Sequence, residues 1–226
     1  MKPQRIFLIR HGESEGNVDK TVYTRKPDYA LSLTTKGIQQ VNDAGKKIKD
    51  IIKEEDIFFY ISPFWRARET YLGIHKYLNC SSSVPYEDSR LREQEWGHRN
   101  GKSFQGDLEE ERDSYGHFYF RFPDGESCAD VYDRISDFLN TLFRDFQKPE
   151  MAKNIGIVFH GMTMRVFLMR WFHMTVEEFE ILANPKNAEF LVLEYNELLD
   201  HYQLTSTVRK YDSHKHPYQF DWTKEI

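Results

Sequence analysis

Two histidines and two arginines in this sequence have the chemistry to act on a phosphate group. His11 and His160 each follow a short apolar run and precede a glycine, and Arg10 adjoins His11. Arg66 lies about one helical turn beyond another apolar run. Guanidinium groups match the oxygens of phosphate, while imidazole can attack phosphorus or donate hydrogen bonds to a phosphate. These residue types therefore predict a site that binds a phosphoryl group and can transfer it.

The apolar runs before these residues have the length of buried strands. Residues 6–9, 57–61 and 155–159 are short apolar runs bounded by polar residues, a pattern typical of strands covered on both faces. The carboxyl ends of parallel strands form the edge where open α/β sheets bind their ligands. We therefore expect His11 and His160 to lie at that edge and to share one explanation.

Helical patterns separate the strands. Capping residues and apolar spacing predict helices after 34–35, from 62–63 through 77, behind a capping box at 127–130, from about 163 to 172 and at 175–178. A last strand is predicted at 190–195. Strands that alternate with helices indicate the fold class, a three-layer α/β/α architecture with a mostly parallel central sheet.

Two segments lack this alternation. Between about 84 and 122 the chain has mixed charge, glycine and aromatic residues without a long regular element, and we interpret it as an insertion over the carboxyl ends of the strands. From about Lys210 the chain becomes a polar tail, whose His214 and His216 are more often simply polar than metal-binding. Because no repeat or linker is recognisable, we expect a single domain over residues 1–226.

The composition excludes several classes of protein. Of the 226 residues, 39% are hydrophobic and 30% charged, which excludes a disordered chain. A net charge of −5 lacks the basic excess that binding to nucleic acid requires. Cys80 and Cys128 are too few for a disulfide framework, and we expect buried free thiols. No uncharged apolar run reaches membrane length, so we expect a cytoplasmic protein without membrane contact.

The motifs occur in the order of a known family. In chain order they are Arg10-His11-Gly12-Glu13-Ser14 with Asn17, Ser62-Pro63 with Arg66, Ala67 and Thr70, Leu91-Arg92-Glu93, Gly125-Glu126-Ser127, and His160-Gly161. This combination resembles the histidine phosphatase superfamily, also called the phosphoglycerate mutase-like superfamily. The stretches LREQEWG, FYFRFPDGES and HGMTMRVFLMRW are similar to a eukaryotic branch that is called phosphoglycerate mutase-like but is suspected of phosphatase activity.

The resemblance implies a role for each matching residue of the predicted phosphate site. His11 is the implied nucleophile, which becomes phosphohistidine. Arg10, Arg66 and His160 are the implied clamp on the transferred phosphoryl group. Phosphoryl transfer needs positive charge on the equatorial oxygens, and because these side chains can supply it, no metal and no cofactor is expected.

The same resemblance extends to the substrate and to the leaving group. Asn17 and Gly161 match substrate-binding positions, and Glu93 matches the acid that protonates the leaving oxygen. Glu93 and Glu95 lie in one charge-rich run, for which a solvated loop is the ordinary interpretation. Only the Leu-Arg-Glu match favours Glu93 over Glu95.

Two departures from the mutase branch favour a phosphatase. A mutase must hold a bisphosphorylated intermediate, which requires a second basic subsite facing His11. The mutase branch has a basic segment after the acid, whereas acidic residues at 107 and 109–111 soon follow Glu93 here. Met162 and Thr163 replace the mutase-type Asn-Ser after His-Gly. We therefore predict a metal-independent phosphomonoesterase that acts through a phosphohistidine intermediate.

Two alternative functions remain at the level of the sequence. A cofactor-dependent phosphoglycerate or sugar-phosphate mutase would release an isomer instead of free phosphate. A silent phospho-ligand or protein-binding module is disfavoured by the intact catalytic set. The expected partner is a small phosphate ester or a phosphoprotein substrate, and the sequence allows either a monomer or an oligomer.

Aromatic residues of the 84–122 segment allow two interpretations. They could cover the site and stack on an aryl or nucleoside group, or they could pack the insertion onto the sheet, which is the more common role. The residues concerned are Trp96, Phe104, Tyr115, Phe118, Tyr119 and Phe120.

Overall fold

A computed structural model describes residues 2–82, 84–97 and 106–211, which are built around a seven-stranded sheet. The strands are β1 Arg5–Arg10, β2 Asp56–Ile61, β3 Asn79–Cys80, β4 Tyr86–Glu87, β5 Asn154–Phe159, β6 Phe190–Asn196 and β7 His201–Leu204. Their order is β3-β2-β5-β1-β6-β7, with β4 also paired to β2. Strand β6 is antiparallel to β1 and β7, and the other pairs are parallel. The predicted mostly parallel sheet is confirmed.

Helices cover both faces of this sheet. They are α1 Glu15–Val18, α2 Thr35–Ile52, α3 Trp65–His75, α4 Gly106–Tyr115, α5 Cys128–Asp145, α6 Gly161–Phe172 and α7 Val176–Glu180. Strand side chains alternate between the faces, so that Ile6 and Leu8 pack with α5 and α6 whereas Phe7 and Ile9 pack with α2 and α3. Burial on both faces explains the continuous apolar strands and confirms the three-layer architecture.

The predicted helix starts agree with the structure to within a few residues. The Thr34 side chain accepts a hydrogen bond from the Gly37 N–H, and Ser127 and Asp130 form the expected capping box of α5. Helix α3 begins at Trp65 rather than at 62–63. The hydroxyl of Ser62 contacts His160 and accepts from the Phe64 N–H, which keeps this stretch outside the helix.

Five regular elements were not predicted: α1, α4, β3, β4 and β7. Helix α4 carries almost no apolar residue, so its sequence has no stripe that periodicity could detect. Strand β7 lies at the sheet edge and pairs only with β6 among the described strands. Lys210, where the polar tail was predicted to begin, forms a bridge with Leu182. The tail histidines at 214 and 216 lie outside the described residues.

Both cysteines are free thiols, but only Cys128 is buried as expected. Cys80 is half-buried because it lies on the short strand β3 at the edge of the sheet. Burial raises the pKa of Cys80 to about 11 and that of Cys128 to about 12. Within the described ranges, no helix is long and apolar enough to cross a membrane.

Candidate active site

The register of two central strands brings the two predicted histidines together. Arg10 at the end of β1 pairs with Phe159 at the end of β5. The next residue on each strand is a histidine, and the ring centroids of His11 and His160 lie 5.2 Å apart. The N–H of His11 donates to the Phe159 carbonyl at 3.0 Å, which continues the pairing by one residue. Parallel pairing therefore places both imidazoles at the carboxyl edge of the sheet, as predicted.

Hydrogen bonding and burial define the tautomer and the protonation state of the His11 ring. Its Nδ1 lies 2.7 Å from the carbonyl oxygen of Gly12. A carbonyl oxygen can only accept, so Nδ1 carries the proton. Burial, together with the positive charges of Arg66 and Arg10, lowers the pKa of His11 well below its ordinary value. The ring is therefore neutral at neutral pH, and its Nε2 holds the lone pair that a nucleophile needs.

Close packing fixes the loop that carries His11. A Cβ on Gly12 would lie 2.7 Å from the carbonyl oxygen of Gly37 on α2, so no larger residue fits there without movement. The N–H of Gly12 donates to the Thr70 hydroxyl of α3 at 3.1 Å. Helices α2 and α3 thus hold the loop that carries His11 from one side of the sheet.

His160 is fully buried, and its side chain makes one hydrogen bond among the described residues. Its Nε2 lies 2.8 Å from the hydroxyl of Ser62, which itself accepts from the Phe64 N–H. The Ser62 hydroxyl proton is then available to His160, and a neutral ring that accepts at Nε2 carries its proton on Nδ1. That Nδ1 is buried and has no partner in the described structure. Burial, with Arg66 and His11 nearby, lowers the pKa of His160 well below its ordinary value.

The two predicted arginines are both anchored, and they differ in how. Arg66 donates through Nη1 to the carbonyl oxygen of Asp28 at 2.7 Å and to its carboxylate at 2.9 Å. Arg10 donates to the carbonyl of Pro185, and its buried Nε has no described acceptor. Burial lowers the pKa of Arg10, while the negative charge of Glu93 opposes that shift. Anchored guanidiniums are pre-organised for an anion because little freedom remains to be lost on binding.

A cavity of about 210 Å³ opens at this edge. Its lining consists of Arg10, His11, Ser14, Asn17, Lys20, Tyr23, Asp28, Arg66, Glu93, Trp96, Arg112, Phe122 and Asn184. Five of these are predicted site residues: Arg10, His11, Asn17, Arg66 and Glu93. His160 and Gly161 are buried beside the cavity and do not line it.

Glu93 reaches the cavity from the 84–122 segment. Its carboxylate accepts from the N–H groups of Met162 and Thr163 at 3.3 and 3.1 Å, and from the Thr163 hydroxyl at 3.1 Å. These donors belong to the first turn of α6, where helix N–H groups lack intrahelical acceptors. Glu95 is exposed and does not line the cavity. The tertiary structure thus separates two glutamates that the sequence leaves side by side.

Asn17 lines the cavity, and Gly161 packs behind Arg10 and Asn184, which also line it. The amide oxygen of Asn17 accepts from the Ser14 N–H and from Asn187 Nδ2, each at 3.0 Å, so its NH2 group is the part suited to a bound anion. A Cβ on Gly161 would lie 3.3 Å from the Nε of Arg10 and 3.1 Å from Asn184. Glycine therefore lets Arg10 pack closely on the start of α6.

Sequence reasoning missed several residues of the cavity. Asp28 anchors Arg66 across 38 positions of chain, and nothing in the local sequence indicates that contact. Arg112 was hidden in an acidic run, where a solvated helix face is the natural expectation. The other lining residues without a predicted role are Lys20, Tyr23, Phe122 and Asn184.

The aromatic residues divide between the two interpretations. Trp96 lines the cavity, as does Phe122, which was not among the candidates. Phe118 and Phe120 are buried, whereas Tyr115 and Tyr119 are exposed away from the cavity. Phe104 lies outside the described residues.

The described residues contain no group of three or more His, Cys, Asp or Glu side chains that could hold a metal ion. The positive charge in the cavity comes from Arg10, Lys20, Arg66 and Arg112 instead. This arrangement suits an anion with several oxygens, and the neutral imidazole of His11, which lines the same cavity, has the chemistry of a nucleophile.

Known proteins are similar to this chain in sequence and in fold. The chain is 42% identical over 205 residues to the phosphoglycerate mutase-like protein AT74 of Arabidopsis thaliana, covering 85% of this chain and 65% of that protein. It is 32% identical to the broad-range acid phosphatase DET1 of Saccharomyces cerevisiae, covering 93% of this chain and 91% of that protein. The solved structure of mycobacterial hydrolase 2 matches with a TM-score of 0.72 at 20% identity, covering 91% of each chain, which supports the fold.

The family model of the histidine phosphatase superfamily (branch 1) matches residues 6–205. That range contains both strand-end histidines and all the residues that line the cavity. The resemblance inferred from the ordered motifs is thereby confirmed, and the chain belongs to the histidine phosphatase superfamily.

Proposed function

We propose that this histidine phosphatase hydrolyses phosphate monoesters in two steps, through a phosphohistidine on His11. The observation that carries the proposal is the neutral His11 ring, which is held through Nδ1 and lines the cavity together with Arg10 and Arg66. Its family and its similarity to a broad-range acid phosphatase support phosphatase activity. The cavity volume of about 210 Å³ favours small phosphate esters as substrates.

In the first step, Nε2 of His11 attacks phosphorus and the bond from phosphorus to the ester oxygen breaks. Arg10 and Arg66 stabilise the negative charge on the equatorial oxygens. We assign to His160, whose ring centroid lies 5.2 Å from that of His11 and whose Nδ1 has no described partner, a hydrogen bond from that Nδ1 to one of these oxygens. Glu93 delivers a proton to the departing oxygen, which leaves as an alcohol.

In the second step, water attacks the phosphohistidine and the bond between Nε2 and phosphorus breaks. Glu93, now a carboxylate, takes a proton from the attacking water. His11 returns to its neutral form and inorganic phosphate leaves. Neither step calls for a metal, because Arg10 and Arg66 supply the positive charge and the neutral His160 supplies a hydrogen bond.

Trapping the intermediate tests this proposal. Brief mixing with a 32P-labelled phosphomonoester should give a labelled protein whose label is lost in acid and retained in base. His11→Ala should abolish the label, whereas His75→Ala, a histidine outside the cavity, should retain it. A label that persists undiminished in His11→Ala would place the nucleophile elsewhere.

The fate of the phosphoryl group separates a phosphatase from a mutase. With 3-phosphoglycerate as substrate and 2,3-bisphosphoglycerate as primer, we expect any reaction to release phosphate. Isomerisation much faster than phosphate release would establish the mutase function instead.

A further inference from the structure

The insertion contributes a second cationic position to the cavity. Arg112 of α4 lines the same cavity as His11, although it is surrounded in the sequence by acidic residues. Its side chain is only 17% exposed. His11 follows strand β1 at the sheet edge, whereas Arg112 belongs to α4 of the insertion. The two residues therefore enter the cavity from different parts of the chain.

The orientation of Arg112 is set by its neighbours. Its Nε and Nη2 donate to one carboxylate oxygen of Asp113, at 3.2 and 2.9 Å. The same oxygen lies 2.9 Å from Nε2 of His117. An arginine has five N–H donors in a planar fork, so three N–H donors of Arg112 make no hydrogen bond to the described residues. This fixed and only partly used guanidinium is suited to a second anionic group.

Two aromatic residues of the insertion, Trp96 and Phe122, also line the cavity. Their rings meet edge to face with centroids 4.8 Å apart. The ring of Phe120 also packs edge to face on that of Phe122, with centroids 5.1 Å apart. Fixed aromatic rings favour a flat apolar body that packs along them.

The direction of the reaction connects these groups to the leaving group. In phosphoryl transfer the leaving oxygen lies roughly opposite the attacking atom. Residues of the sheet edge, including His11 and Arg10, hold the phosphoryl group, whereas Glu93, Trp96 and Arg112 come from the insertion. The rest of the substrate must therefore extend toward the insertion.

We propose that this phosphatase prefers phosphomonoesters whose leaving group is flat and carries its own negative charge, with Arg112 binding that charge and Trp96 and Phe122 packing on the flat body. The preference rests on the phosphatase function proposed above and names the substrate class of the same cavity. Arg112 thus acts as a specificity residue that contacts the leaving group.

Two matched esters test the proposal. 4-Carboxyphenyl phosphate and 4-(hydroxymethyl)phenyl phosphate have similar size and differ mainly in the charge of the leaving group. A charged hydrogen bond supports a preference of roughly 10–100-fold in kcat/KM for the carboxylate ester. Arg112→Gln should bring the ratio of the two kcat/KM values to within about threefold of one, and Arg112→Lys, which keeps the charge but loses the fork, should give an intermediate ratio.

Arg121→Gln is the matched control. Arg121 belongs to the same segment, is 59% exposed, pairs with Asp130 and does not line the cavity. Its loss removes the same charge and should leave the ratio at the wild-type value. Thermal unfolding of each variant shows whether α4 and the fold persist.

The outcomes distinguish the two proposals. A wild-type ratio near one, or an unchanged ratio in Arg112→Gln, overturns the leaving-group preference while phosphate release and the His11 phosphoenzyme still support the phosphatase. An equal change of the ratio in Arg121→Gln overturns it as well, because a general charge effect then explains the preference. If neither ester gives phosphate or a phosphoenzyme, the phosphatase function itself is wrong.

Discussion

His11 and His160 show how burial prepares single residues for chemistry. Both rings are inaccessible or nearly so, and both lie near Arg66, so a proton on either ring would be a buried positive charge close to another. Desolvation and like charge both disfavour the protonated form. The lowered pKa of His11 thus favours the neutral ring that the proposed nucleophilic role requires.

The same two histidines predict a pH dependence of stability. Because their pKa values are lowered in the folded protein, the unfolded chain binds more protons below pH ~6.5. The free energy of unfolding should therefore fall as the pH drops below ~6.5, by up to about 1.4 kcal/mol per pH unit for each histidine. Urea unfolding between pH 7.5 and 5 measures this slope. His11→Asn should make it shallower, and an unchanged slope in that variant would contradict the lowered pKa of His11.

Glu93 as the acid predicts a loss that depends on the leaving group. Glu93→Gln keeps size and polarity but cannot deliver a proton, so single-turnover phosphorylation by alkyl phosphates should slow by roughly 10²–10⁴-fold. The loss with 4-nitrophenyl phosphate should be much smaller, because nitrophenolate leaves without protonation. Glu95→Gln is the control, since its side chain is exposed outside the cavity. Equal losses for both leaving groups in Glu93→Gln would mean that Glu93 only positions the substrate.

At the scale of elements, helix α5 anchors the loop that presents Glu93. Arg134 of α5 donates to the carbonyl oxygens of Arg92 and Glu93, at 2.9 and 3.2 Å, and also to that of Arg90. Its guanidinium pairs with Glu126 at 3.0 Å, just before the Ser127 cap. Glu126 therefore supports the loop and does not line the cavity. The buried guanidinium of Arg134 thus connects the start of α5 to the loop that carries Glu93.

Removing this anchor should damage both stability and catalysis. Arg134→Gln removes the arginine donor of the Arg90 and Glu93 carbonyls and one of the partners of the Glu126 carboxylate, so the free energy of unfolding should fall by about 3 kcal/mol. Displacement of Glu93 should also lower kcat for alkyl phosphates more than for 4-nitrophenyl phosphate. Chemical denaturation and steady-state kinetics measure the two effects. Arg144→Gln, which removes an exposed arginine of the same helix, should change stability by no more than about 0.5 kcal/mol.

At the scale of the whole molecule, the residues that line the cavity come from two parts of the fold. The sheet edge and its first loops provide the groups proposed to hold the phosphoryl group, among them His11, Arg10 and Arg66. The segment between β4 and α5 provides Glu93, Trp96 and Arg112. Under the two proposals above, the sheet edge carries the transfer chemistry and the insertion sets the choice of leaving group.

The charge of the assembled cavity predicts metal-independent activity. Arginine and lysine side chains already supply positive charge for phosphate oxygens, so activity should survive exhaustive chelation. The measurement is phosphate release before and after dialysis against EDTA, with each divalent ion added back separately. A large loss that one ion restores would show that a metal takes part.

Local patterns in the sequence determined strands β1, β2, β5 and β6, most helix starts and the identity of the two strand-end histidines. An apolar run, a capping box and a histidine after a strand are each encoded within a few residues, so they can be read without the fold. Helix α4 escaped detection because it has no apolar stripe, and its packing is not encoded in its own periodicity.

The tertiary structure alone decided which side chains share the cavity with His11. Asp28 meets Arg66 across 38 residues of chain, and Glu93 rather than Glu95 lines the cavity, where its carboxylate accepts hydrogen bonds from the first turn of α6. Arg112 enters the cavity from an acidic helix whose sequence favours a solvated surface. Such contacts depend on the paths of loops between distant elements. The sequence within any short window therefore contains the chemistry of each residue but not its neighbours in space.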